Sequence, residues 1–80
     1  MYALKYDTTV AAVWDSLPPE VSEQLSDVLA TACTDPLGAT VPYGEDDGMM
    51  RMLVLDEVFA VIYLGHRTRT LHLYQIDYLG

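Results

Sequence analysis

The sequence predicts an α+β domain of β-α-α-β-β-β order, in which an N-terminal strand and a helix hairpin pack on a small antiparallel sheet. Three observations predict it. An alternating apolar stretch opens the chain, two segments of helical apolar spacing flank Pro18-Pro19, and three β-rich runs separated by short turns close it. The 80 residues make one domain, taken as 1–80.

Tyr2-Ala3-Leu4-Lys5-Tyr6 alternates, which places Tyr2, Leu4 and Tyr6 on one face of the first strand. Asp7, Thr8 and Thr9 supply N-cap chemistry, a side-chain oxygen for an unpaired backbone N–H. Val10, Val13, Trp14 and Leu17 then form one face of a short helix that Pro18-Pro19 stops. The same prolines open a second helix, with Pro19 where no N–H is needed and Glu20 and Glu23 near the positive end of the helix dipole. Val21, Leu25, Val28, Leu29 and Ala32 make its apolar stripe, and Trp14 and Leu25 are expected where the hairpin meets the sheet. This helix should end near Cys33 or Thr34, because Pro36 drives Asp35 out of helical geometry.

Leu37 to Gly48 reads as a loop carrying the acidic turn Glu45-Asp46-Asp47, without the alternating oxygen ligands of a calcium site. Three strands follow, near Met49–Leu55, Phe59–Leu64 and Thr70–Leu79, and turns this short make neighbours antiparallel. Simple alternation assigns Tyr63 to the core with Val61. It sets Leu71 and Leu73 against Tyr74, Ile76 and Tyr78 on the other face of the last strand.

Composition narrows the function. At 51% hydrophobic and 20% charged the chain is globular, but a domain this small buries only roughly 60% of its unfolded surface. The formal charge of −8 repels phosphate backbones, so direct nucleic-acid binding is disfavoured and a partner with a basic contact segment is favoured. Cys33 is the single cysteine, the start of the chain shows no signal-peptide pattern, and the apolar run Val58–Leu64 is too short for a membrane span. The expected location is the cytoplasm, with no membrane attachment. No Gly-rich loop marks a nucleotide, no Ser-His-Asp pattern marks a nucleophile, and His66 with His72 lacks a third metal ligand nearby. No cofactor and no metal are expected. The polar cluster His66, Arg67, Arg69 and His72 holds two of the four Lys and Arg residues.

Several pieces in sequence carry a resemblance: Trp14 in a short first helix, Leu17-Pro18 leading to Glu20-Val21, and Asp35-Pro36 after the second helix. To these are added Gly48-Met49-Met50-Arg51 and Phe59-Ala60-Val61-Ile62-Tyr63. In this order they resemble the RelE/ParE superfamily of bacterial toxin–antitoxin modules, whose paired strands read G-x-Y-R and Y-R-V-I-Y. The resemblance implies a toxin bound by an antitoxin segment. In the RelE branch it also implies messenger RNA cleavage on the ribosome through basic side chains. Arg51 matches one of them. Ala60 stands where the pattern has arginine, and Ile76-Asp77-Tyr78-Leu79 replaces the usual basic ending. Phosphodiester cleavage requires positive charge on the developing phosphorane and an acid or base near the 2′-hydroxyl, and neither Ala60 nor Leu79 offers them.

The sequence therefore favours a RelE/ParE-like protein that acts by protein–protein binding, to an antitoxin or a cellular target, through Met50, Arg51, Tyr74, Ile76 and Tyr78. Homo-oligomerisation is compatible with this. One alternative is a ribosome-dependent endoribonuclease that uses Arg51, Arg67, Arg69 and Tyr78. Another is a small structural subunit completing its core on a larger assembly.

Overall fold

The computed structural model describes residues 1–45 and 47–80; of the acidic turn read at 45–47, Asp46 lies outside the described residues. The elements run β1 (Ala3–Tyr6), α1 (Thr8–Ser16), α2 (Pro19–Thr34), β2 (Val41–Pro42), β3 (Met50–Val54), β4 (Val58–Gly65) and β5 (Thr70–Tyr78). Asp7 caps α1, its carboxylate accepting the Val10 N–H at 2.9 Å. Leu17, ahead of Pro18, is extended with ψ 148 and ends that helix. Proline in the first turn opens α2, and Asp35, ahead of Pro36, closes it.

The strands form one five-stranded sheet in the order β1-β5-β4-β3-β2. The expected meander β3-β4-β5 is its centre, and the element order is the expected one. Two pairings were not foreseen. β1 lies parallel to β5, with Leu4 opposite Leu71 and Tyr6 opposite Leu73, so the sheet is mixed rather than antiparallel. The two helices supply the long crossover that parallel neighbours require. β2 falls inside the segment read as a loop and pairs antiparallel with β3 at the other edge. It is only two residues long, and Pro42 brings no N–H to the ladder.

The core lies between the helices and one face of the sheet. Val10, Val21, Leu25, Leu29 and Ala32 pack with Leu53, Ala60, Ile62, Leu64, Leu71, Leu73 and Ile76 in one buried cluster, against which Trp14 and Val13 are partly buried. Ile76 is a correction to simple alternation. Between β4 and β5 the register slips: Ile62 faces Leu73 while Val61 faces Gln75, leaving Tyr74 as the extra residue of a bulge. A bulge places two successive residues on the same side and inverts the alternation beyond it. Ile76 thus returns to the side of Leu71 and Leu73 and is only 6% exposed.

Candidate functional site

Among the described residues, no helix packs on the opposite face of the sheet. Cross-strand partners share a face, so Met50 with Tyr63, Met52 with Val61 and Val54 with Phe59 define its centre. Val61 is buried there and absent from the helix-side cluster, while Tyr63, Met50, Met52 and Phe59 are half-buried and Val54 is exposed. Tyr63 sits on this face rather than in the core as expected. Its ring meets the edge of Tyr74 at 6.3 Å and lies 6.5 Å from the His72 ring, which aligns three rings across β4 and β5. Tyr74 is 60% exposed.

At the turn joining β4 to β5, the open face runs into a surface hollow of about 380 Å³ lined in part by Met49, Tyr63, His66, Arg67 and His72. His66 is fixed at both ring nitrogens. Nε2 lies 2.6 Å from the Gly48 carbonyl and Nδ1 lies 2.6 Å from the Tyr2 hydroxyl. A carbonyl only accepts, so Nε2 carries a proton and Nδ1 of the neutral ring accepts from Tyr2. Gly48 occupies φ +75, a conformation open to glycine at little cost. Beside it, Asp47 accepts backbone N–H groups from Met49 and Met50, which hold its carboxyl below the usual carboxylate range.

Arg51 lies elsewhere. Its position, opposite Ile62, turns it to the helix side, where it is 7% exposed. Nε donates to Thr40 Oγ1 at 2.9 Å, and Nη2 donates to the carbonyl of Thr40 at 2.8 Å and to that of Leu37 at 3.3 Å. The residue ties the 37–40 segment to β3, which corrects its expected placement on an accessible surface. Ile76, in the core, is corrected on the same ground.

The set Arg51, Arg67, Arg69 and Tyr78 is not brought together. Arg67 and Arg69 are exposed in the turn between β4 and β5, Arg69 at φ 54. Tyr78 pairs with Val58 at the far end of the same hairpin. Seven residue steps separate the Thr70 end from the Val58 end, roughly 24 Å at about 3.4 Å per residue. Of the five expected contact residues, Met50 and Tyr74 reach the open face. Tyr78 is exposed at a strand end, on the side of Ile76. Ala60 is fully buried and Leu79 is exposed. The reading of single residues missed Val54 and Phe59. Their signal is the period of two in β3, carried across to β4 by register. Among the described residues no three His, Cys, Asp or Glu side chains are grouped to hold a metal, and no helix is long and apolar enough to cross a membrane.

No protein-family model matches the sequence, and no curated protein matches it. Solved structures do match. The isolated RelE toxin of E. coli has a TM-score of 0.84 at 19% identity, covering 100% of this chain and 86% of that one. The intact E. coli RelBE toxin–antitoxin complex gives 0.82 at 19% identity, with 100% of this chain and 99% of that one covered. The toxin–antitoxin complex RelBE2 of Mycobacterium tuberculosis gives 0.81 at 14% identity, with 96% of each chain covered. A mixed five-stranded sheet with a helix pair on one face is thus a recurring architecture, and at these identities the likeness is one of fold. This chain has the RelE toxin fold.

Proposed function

We propose that this chain is a RelE-fold protein of the toxin–antitoxin kind that acts by binding other proteins rather than by cutting RNA. The observation that carries this is the burial of Arg51 against Thr40, on the helix side of the sheet. The open face carries Met50, Met52, Val54, Phe59, Tyr63 and Tyr74 beside the polar His72, Gln75 and Asp77, with Lys5 of β1 at its edge, and no arginine among its described strand residues. Such a face favours an apolar segment of a partner over a phosphodiester, which needs cationic stabilisation. Two of the three solved neighbours described above are complexes with antitoxins, which supports a partner of that kind here. With a formal charge of −8, basic residues flanking that apolar segment are favoured, and association is faster at low salt.

A second reading has one observation in its favour. His66, Arg67, Tyr63 and His72 line a single hollow, an arrangement with one cation and two imidazoles for a ribosome-dependent endoribonuclease. Purified protein added to a translating ribosome system separates the two readings. The binding reading expects intact messenger RNA. Codon-specific cleavage lost in His66→Ala and Arg67→Ala would establish the second reading instead.

A further inference from the structure

On the helix side, away from the open sheet face, the end of β1 and the end of α1 enclose a second hollow of about 290 Å³. Tyr6, Ala11, Trp14, Asp15 and Ser22 line it. Tyr6 and Trp14 meet edge to face, with ring centroids 5.5 Å apart and planes at 63°. Tyr6 is 51% exposed although its strand position, opposite Leu73, turns it to the helix side; Trp14 is half-buried and Asp15 exposed.

Three features give this hollow one electrostatic sign. Aromatic faces are negative and attract cations. Asp15 adds a carboxylate beside them. The last turn of α1 contains no basic residue, so the negative end of that helix, at Trp14 to Ser16, has no side-chain counter-charge of its own. α2 begins on the opposite wall, and Glu20 in its first turn offsets its positive end. None of the lining residues is basic. Lys5, next to Tyr6, falls on the other face of β1 by strand alternation.

We propose that this hollow is a binding site for an organic cation, namely the lysine or arginine side chain of a partner protein, held over the Tyr6 and Trp14 rings and paired with Asp15. The site does not depend on the reading of the open sheet face, and either can fail without the other.

Trp14 is the single tryptophan of the chain, so its fluorescence reports the hollow directly. The experiment titrates the intact chain with N-acetyl-arginine amide and N-acetyl-lysine amide, with N-acetyl-norleucine amide as the neutral control, at constant ionic strength. The expected result is a saturable change with the cationic amides and none with norleucine. Asp15→Asn and Tyr6→Leu should each weaken binding roughly two- to fivefold, consistent with cation–π and ion-pair contacts at a partly exposed site. Circular dichroism verifies that both variants are folded, and Asp15, being exposed, can change without disturbing the core. No saturable change with either cation, an equal response to norleucine, or unchanged affinity in folded Asp15→Asn would overturn the proposal.

Discussion

Arg51 and Thr40 are joined twice: the guanidinium donates to the threonine hydroxyl at 2.9 Å and to its carbonyl at 2.8 Å. Thr40 is itself buried, and its hydroxyl donates to the Pro36 carbonyl at 2.5 Å. One side chain on β3 thereby organises the chain that leaves α2 and enters β2. The arginine that the family pattern marks as functional acts here as a clamp between a loop and a sheet.

Arg51→Ala should therefore reduce stability rather than a surface activity. Hydrogen bonds to charged groups contribute about 1.5–3 kcal/mol, and the carbonyls left behind are partly shielded from water. The expected loss lies in that range, read as a lower urea midpoint. A variant of unchanged midpoint would show that the Thr40 segment does not depend on Arg51.

Leu25 is fully buried at the centre of the α2 stripe. Truncating such a leucine costs roughly 2–5 kcal/mol, which rivals the whole stability of a small domain. Leu25→Ala should melt far below the parent or fail to fold in isolation. A melting temperature within a few degrees of the parent would contradict this packing.

The elements themselves were legible because local chemistry and packing agree there. Asp7 caps, Pro19 starts and Asp35-Pro36 ends helices at the expected places, and the stripe from Val21 to Ala32 faces the core. What escaped depends on partners distant in sequence. β1 beside β5 is a parallel pairing that no turn announces, and the two residues of β2 have no periodicity to detect. The bulge at Tyr74 is a register slip between strands, and a single strand read alone cannot reveal it. It misplaced Ile76, while Arg51 was misplaced because a family motif gives the residue type but not its face. Tyr63 and Tyr74 on one open face became evident only from the pairing of β4 with β5.

Cys33 gives a pH dependence. Burial pushes its thiol above the usual range, with a smaller opposing effect from the N-terminal ammonium. The folded state thus holds the proton that the unfolded chain gives up above about pH 8.5. This contribution is complete below that pH and is lost as pH rises through the folded value. The urea midpoint should decline on the alkaline side, and Cys33→Ala should flatten that part of the profile. An identical slope in the variant would assign the decline to other groups.

The open face supplies the sharpest test of partner binding, provided that the substitutions are chosen by exposure. Ile76→Asp is unsuitable, because it would bury a carboxylate among Ala60, Ile62 and Leu73 and unfold the domain whatever the partner does. Tyr74 is different. It projects from the bulge, is 60% exposed, and touches Tyr63 only edge to face. Tyr74→Asp should leave the melting temperature within a few degrees of the parent. Met52→Asp places a second charge on the same face, opposite the buried Val61, at some cost in stability. An apolar partner segment on this face would have to desolvate either carboxylate, so capture should fall at least tenfold, a change of about 1.4 kcal/mol. The measurement is pull-down from the native host by the tagged chain, with identification of the captured protein, alongside thermal melts of each variant. Capture that survives Tyr74→Asp and Met52→Asp in folded protein would move the interface off the sheet. Loss in both, with Asp15→Asn unaffected, would locate the partner on the face that the helices leave open.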